Sequence, residues 1–221
     1  MKIEVINTRD GSKSLFLPDL NETYHSKFGA RTESEHVYIG AGYHFIKQSA
    51  INILEVGFGT GLNVFLTYLE HQKNNRKIYY ESLEKYPLSL DIIEQLNSFD
   101  SGAEKIIFER IHHAAWDENV ILNDNFVLCK RKVDLIDYQP VNKFDLIYFD
   151  AFAPDKQPEM WTFEVFKKLY NSMSEKGILV TYSAKGKVRR TMQAAGFEVN
   201  RVAGPPGKRE MIRAVKSETI S

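Results

Sequence analysis

The chain has 221 residues, 43% of them hydrophobic and 26% charged, which suits one to one and a half ordinary globular domains and excludes a disordered chain, a collagen-like repeat and a disulfide-rich mini-protein. Twenty-nine basic side chains balance twenty-nine acidic ones, so a strongly basic nucleic-acid coat is excluded while a local basic patch is not. A single cysteine, Cys129, allows no intrachain disulfide, no apolar run approaches the roughly 20 residues that span a bilayer, and Met1-Lys2-Ile3-Glu4 does not open a secretory signal; cytoplasm is the expected location.

The first fifty residues differ from the rest. Asp10-Gly11 lies between short apolar stretches at 3–6 and 15–17, the pattern of a hairpin. A polar segment follows, from Thr23-Tyr24-His25-Ser26 through Ser34-Glu35-His36, and residues 1–50 read as an N-terminal appendage packed on a main domain of residues 51–221. From Ile51 strands and helices alternate. Strands are expected at 51–56, 78–83, 126–129, 144–149 and 178–182. Between them come helices carrying Leu62, Phe65, Leu66 and Leu69; then Ile92, Leu96 and Phe99 after Pro87; then Phe163, Phe166, Leu169, Tyr170 and Met173. A last helical face, Val188, Met192 and Ala195, closes at Gly196, and final strands follow at 197–202 and 211–215. The run at 144–149 is apolar but for Asp145, as for a strand buried on both faces. This alternation implies an α/β, Rossmann-like fold with a mostly parallel seven-stranded sheet. Too few residues separate the last two strands for a crossover helix, so they pair antiparallel as a C-terminal hairpin, which distinguishes a methyltransferase-like sheet from an ordinary dinucleotide-binding one.

Glu55-Val56-Gly57-Phe58-Gly59-Thr60-Gly61 follows the first of these strands and opens a helix. A glycine-built strand-to-helix turn lets a ligand approach the backbone closely. The spacing is Gly-x-Gly-x-Gly, unlike the dinucleotide fingerprint Gly-x-Gly-x-x-Gly, and it suits the methionine end of S-adenosylmethionine. Glu84, at the end of the second strand, can accept both ribose hydroxyl protons. The plainer reading is a tight turn with a solvated glutamate beyond it. Asp134, after the third strand, either accepts a hydrogen bond from the adenine amino group or is an exposed turn residue.

Asp150-Ala151-Phe152-Ala153-Pro154 lies where the fourth strand leaves the sheet, and ligands of open α/β sheets bind beyond the carboxyl ends of strands. Asp150 is therefore expected to face the transferring methyl group. An amine near neutral pH is largely protonated, so a carboxylate that hydrogen-bonds it or takes its proton serves methyl transfer. Phe152 and Trp161 can wall a flat substrate base, although Trp161 at a helix start equally suits core packing.

At these residues the chain resembles a known family. Residues 55–63 and 144–161, with Val188-Arg189-Arg190, Ala195-Gly196-Phe197 and Gly207-Lys208-Arg209-Glu210-Met211, are similar to the methyltransferase domain of the MnmC family of tRNA-modifying proteins, and Tyr24-His25-Ser26 and Glu35 match in character. The resemblance covers nearly the whole chain, and its acidic-aromatic and Lys-Arg-Glu-Met segments are more specific than the glycine turn. It implies an S-adenosylmethionine-dependent enzyme that converts 5-aminomethyl-2-thiouridine to 5-methylaminomethyl-2-thiouridine at the tRNA wobble position. Asp150 is then catalytic. Glu55, Gly57, Phe58, Gly59, Thr60, Gly61, Asn63, Glu84, Asp134 and Asp150 hold the cofactor, and Phe152, Pro154 and Trp161 face the substrate. Bifunctional members carry a flavin-dependent oxidase that prepares the amine. A chain ending at Ser221 has no room for one, so a stand-alone form without flavin is expected, with a separate oxidase or upstream tRNA-modifying enzyme as partner. The family's glycine-aspartate pair after the third strand appears here as Val133-Asp134.

Charge distribution offers RNA contacts. Lys185-Gly-Lys-Val-Arg-Arg190 holds four basic residues in six, Lys208 and Arg209 flank the last strand, and Lys130-Arg131-Lys132 is a third cluster; each is otherwise a solvated face. Lys185, Arg189, Lys208 and Arg209 are expected on anticodon-loop phosphates, and Glu210 on a neighbouring base or the substrate amine. The histidines His25, His36, His44, His71, His112 and His113 have no metal-ligand spacing, so no metal is expected, and His112-His113 reads as structural. Two further readings remain: the same cofactor with another RNA site or a small-molecule amine, since aminopropyltransferases share this sheet and a strand-end aspartate, and a non-catalytic cofactor-binding protein.

Overall fold

The structure is a computed structural model that describes residues 2–96 and 102–218. The Asp10-Gly11 turn joins β1 (Glu4–Asn7) to β2 (Lys13–Leu17) as an antiparallel hairpin, and β3 (Glu22–Thr23) completes a small separate sheet. The polar stretch beyond it is helical. There α1 (Ala30–Ser34) runs into a π-helix, Glu35–Tyr43, whose end is marked by His44 N–H donating to Ile39 O at 2.9 Å. Val37, Tyr38, Ile39 and Tyr43 are buried in the same core as the large sheet. Gly42 permits that close approach, since a Cβ there would lie 3.1–3.3 Å from Val180, Tyr148 and Leu146.

From Ala50 the chain alternates: β4 (Ala50–Val56), α2 (Leu62–Asn74), β5 (Lys77–Leu83), α3 (Leu90–Leu96), α4 (Ala103–His113), β6 (Asn119–Asn123), β7 (Phe126–Arg131), β8 (Phe144–Phe149), α5 (Phe163–Ser172), β9 (Met173–Thr181), α6 (Gly186–Ala195), β10 (Phe197–Ala203) and β11 (Glu210–Lys216). A short 3₁₀ turn, Pro158–Trp161, precedes α5. The sheet order is β10-β11-β9-β8-β4-β5-β7-β6. Strands β9, β8, β4, β5 and β7 are parallel, and β11 is antiparallel to both β9 and β10. The terminal hairpin inserts its second strand beside β9, as the short connection demands.

Among the described residues the sheet has eight strands where seven were expected. The additional one, β6, pairs antiparallel with β7 across a tight Asp124-Asn125 turn; it is an edge strand and leaves Ile121 exposed. Helix α4 was also unassigned from sequence, and α3 begins three residues after Pro87 rather than at it. Phe99 lies outside the described residues. Met173 leaves α5 for an extended conformation and begins β9. The apolar residues of β8 are buried on both faces, as the pattern predicted, while Asp145 near its start is half-buried and accepts the Asn52 N–H at 2.9 Å. Leu146 and Tyr148 pack under α2 and the π-helix, whereas Ile147 and Phe149 pack under α5 and α6. The carboxyl ends of the parallel strands therefore emerge along one edge.

Candidate active site

At that edge the ends of β4, β5, β8 and β9 open into a cavity of about 610 Å³, within the size range of small-molecule sites. The glycine turn after β4 is fastened to the end of β5, with Gly57 and Phe58 N–H groups both donating to Leu83 O at 3.0 Å. Gly57 has φ +93°, and a Cβ there would sit 2.8 Å from Asp150 O. Only glycine lets this turn touch the backbone where β8 ends.

Glu84 lines the cavity just beyond β5. Its Oε2 accepts the Gly59 N–H at 3.0 Å and its Oε1 accepts the Tyr86 N–H at 2.9 Å, which fixes the carboxylate while each oxygen keeps a second acceptor site. A ring of Tyr24 lies 3.2 Å from where a Gly59 Cβ would be, so that side of Gly59 is covered by protein. Asp134 also lines the cavity. Burial pushes its carboxyl up, but Lys85 Nζ at 2.8 Å and the Ile136 N–H at 3.0 Å outweigh that and hold it below the usual range.

Asp150 stands where the turn, β8 and the cavity meet. Its Oδ2 accepts Asn63 Nδ2–H at 2.9 Å. Burial pushes its carboxyl up to about 6, opposed by the adjacent Tyr38 hydroxyl and the Asn63 amide. Phe152 forms a cavity wall and meets Tyr24 edge-to-face at 5.2 Å. Trp161 turns away from the cavity into the core against Phe149, and its Nε1–H donates to Phe152 O at 2.9 Å, so it supports the loop from behind. Pro154 is half-buried in that loop.

The remaining turn residues lie beneath the cavity rather than on its wall. Glu55 is fully buried and accepts Ser82 Oγ–H at 2.5 Å, and burial pushes its carboxyl up to about 8. Phe58, Thr60 and Gly61 pack on His112, whose ring nitrogens lie 3.1 Å from Thr60 O and 2.8 Å from Phe108 O. Burial lowers His112 to about 4, so it is neutral and serves the fold.

The basic residues divide. Lys130 is buried, donates to His112 O at 2.8 Å and lies over Trp116, while Arg131 pairs with Glu81 at 3.0 Å; within that cluster Lys132 is the exposed member. Lys185 is engaged by Asp155, Arg189 is half-buried, and Lys187, Arg190 and Arg209 are exposed. Glu210 pairs with Arg201 at 3.1 Å across the β10–β11 hairpin. Lys208 faces the cavity instead of the rim: it donates to Glu33 at 2.5 Å and lies 3.9 Å from the Tyr182 ring centroid.

Tyr24, His25 and Ser26 line the cavity, but Glu35 is exposed and pairs with Arg31. The carboxylate that enters is Glu33, which the sequence reading missed, as it missed Tyr38 and Tyr182. One signal for Glu33 existed: Ala30, Glu33, Ser34 and Val37 share a helical face, and all are buried. Among the described residues no group of three or more His, Cys, Asp or Glu side chains is placed to hold a metal, and no helix is long and apolar enough to cross a membrane.

The cavity's polar groups and size fit S-adenosylmethionine: a fixed carboxylate at the end of β5, a glycine turn beside it and a buried carboxylate at the end of β8. Comparisons agree. Residues 91–217 match the model of a family described as S-adenosyl-L-methionine-dependent methyltransferase. A protein of Campylobacter hominis named tRNA 5-methylaminomethyl-2-thiouridine biosynthesis bifunctional protein MnmC is 32% identical over 206 residues, covering 89% of this chain and 30% of its own length. One of that name from Idiomarina loihiensis is 32% identical, with 87% and 35% covered. The chain thus spans about a third of these relatives. The crystal structure of MNMC2 from Aquifex aeolicus superposes with TM-score 0.80 at 26% identity, over 99% of this chain and 72% of that one. Spermidine synthase from Thermotoga maritima, at TM-score 0.60 and 14% identity, shares the fold.

Proposed function

The chain belongs to the S-adenosyl-L-methionine-dependent methyltransferases, and from that premise we propose that it methylates the exocyclic amine of 5-aminomethyl-2-thiouridine at the tRNA wobble position, forming 5-methylaminomethyl-2-thiouridine. One observation carries this reading: the Asp150 carboxylate lies at the junction of the glycine turn with a cavity walled by Phe152 and Tyr24. Likeness to the MnmC proteins supports the choice of substrate.

S-adenosylmethionine bound there would supply an electrophilic methyl carbon to the amine lone pair, with its sulfur as the leaving group. Glu84, held by the Gly59 and Tyr86 N–H groups, would accept the ribose hydroxyls with its remaining lone pairs. Asp150 accepts an N–H of the amine, orients its lone pair and takes the proton that the nitrogen releases. Asn63 holds the carboxylate in place for this. Phe152 offers an aromatic face to the splayed wobble base. The amine must exist beforehand, so the reaction depends on an oxidase or other upstream tRNA-modifying activity that prepares it.

Nucleoside analysis tests the reading. tRNA from a strain lacking this protein, incubated with the enzyme and S-adenosylmethionine, should gain one methyl group on the aminomethyl nucleoside. Asp150→Ala should lose about 100-fold or more of that rate while remaining folded. Methylation of small amines in place of tRNA, or cofactor binding without turnover on any amine, would overturn it.

A further inference from the structure

Beside Asp150 the cavity holds a second carboxylate and an ammonium. Glu33 is 7% exposed; its Oε2 accepts the Ser26 N–H at 2.7 Å and its Oε1 accepts Lys208 Nζ–H at 2.5 Å. Lys208 comes from the loop between β10 and β11 and rests its ammonium against the face of Tyr182. Both charges are felt at Asp150, Glu33 pushing its carboxyl up and Lys208 pulling it down. Binding of the cofactor's ribose and acceptance of the amine proton call for no ion pair at this place.

Amine chemistry supplies a reason for one. An alkylamine free in water is mostly protonated at neutral pH, and a protonated amine has no lone pair to donate. Two uncompensated carboxylates in one buried cavity would hold the substrate as its ammonium form, because opposite charge favours the charged state.

We propose that Lys208, pinned between Glu33 and the ring of Tyr182, is the positioning residue that keeps the acceptor amine uncharged, by neutralising Glu33 and leaving Asp150 as the one free carboxylate beside the nitrogen. This rests on the reading of the substrate as an amine. The neighbouring groups leave the balance to these three residues. His25 faces Glu33, Lys208 and Asp10, and burial lowers it to about 4, so it is neutral. Tyr38 and Tyr182, which face Asp150 and Glu33, are raised far above neutral pH by burial. Glu55 approaches Asp150 from beneath and is pushed up to about 8 by burial. Glu22 lines the cavity on the side of Tyr182 and is common to wild type and the Lys208 variants, and Glu84 lies toward Tyr24 with its oxygens on the Gly59 and Tyr86 N–H groups.

Lys208→Met exposes the unpaired Glu33 carboxylate to the substrate. The acidic limb of the kcat profile, which reports the bound amine, should move up by about one pH unit, and kcat near neutral pH should fall about tenfold without a rise in the KM for the amine. Cofactor-free protein gives a second readout. The affinity of Lys208→Met for 5-aminomethyluridine should exceed wild type severalfold at about pH 6, and the excess should shrink as pH rises through the pKa of the free amine. Glu33→Gln/Lys208→Met, which removes both charges, should return both readouts toward wild type, and Lys208→Arg should keep them. If Lys208 only braces the loop, the single variant melts lower with an unmoved pH limb and unchanged pH dependence of binding, and the double variant rescues nothing; that result overturns the proposal. Should wild type methylate no tRNA, the wobble-uridine reading fails, while the pH dependence of nucleoside binding still decides the role of Lys208.

Discussion

Two glutamates from adjacent strand ends illustrate how differently the same side chain is used. Glu55 lies within β4 and is fully buried, whereas Glu84 lies one residue beyond β5 and reaches the cavity. Glu55 is raised by burial to about 8 from an ordinary 4.5. Between those values the folded protein keeps a proton that the unfolded chain has lost, so stability falls as pH rises from about 4.5 to about 8. Glu55→Gln preserves the shape and the acceptor for Ser82 without an ionisable group. It should flatten that decline and exceed wild type by on the order of 2–4 kcal/mol at the upper end of the window, as read by chemical denaturation at both ends. Equal pH slopes for the two proteins would mean that Glu55 ionises freely. Glu84→Ala should instead weaken S-adenosylmethionine binding by about 1–3 kcal/mol, the cost of losing hydrogen bonds to a charged acceptor, with part of the loss reflecting freed Gly59 and Tyr86 N–H groups. Calorimetry finding wild-type affinity in folded Glu84→Ala would remove its ribose role.

Among the elements, those that were legible in the sequence are those whose pattern is set locally. The five parallel strands and the terminal hairpin announce themselves by apolar runs bounded by turns, and α6 by its apolar face and the glycine that ends it. The strand-end rule then brings Glu84 from the end of β5 and Asp150 and Phe152 from the end of β8 to one cavity. What was illegible depends on tertiary contact. The π-helix carries apolar residues at 37, 38, 39 and 43 that fit no 3.6-residue face, and its glycines discourage a helix until Gly42 is seen pressed on Tyr148. Edge strand β6 is short and half polar, and it exists because β7 offers it a ladder. Glu33 and Tyr182 reach the cavity only once the N-terminal segment and the β10–β11 loop are folded against β9. Charge clusters were visible as clusters, but nothing in their spacing revealed that Lys130 is buried under Trp116 or that Glu33 captures Lys208.

For the whole molecule, a net charge of zero means that affinity for a polyanion must come from where charges sit rather than from how many there are. Lys185 and Lys208 are held by Asp155 and Glu33. Lys187 and Arg190 on α6 and Arg209 beside Lys208 remain exposed, and both segments adjoin cavity residues, α6 following Tyr182 and Arg209 following Lys208. Phosphates of a loop whose base enters the cavity would meet these three side chains first. Each phosphate neutralised contributes about 0.7 to the salt slope for single-stranded nucleic acid, so Lys187→Ala/Arg190→Ala/Arg209→Ala should reduce the slope of log K against log salt by about 2. The same variant should raise the KM for tRNA at moderate salt, yet bind the free nucleoside and the cofactor as wild type does, because none of the three lines the cavity. A variant that melts several degrees lower with an unchanged salt slope would instead assign these charges to bracing α6 and the terminal hairpin. The pairing of slope with melting temperature is decisive, because phosphate contact changes the first and leaves the second alone, and bracing does the reverse.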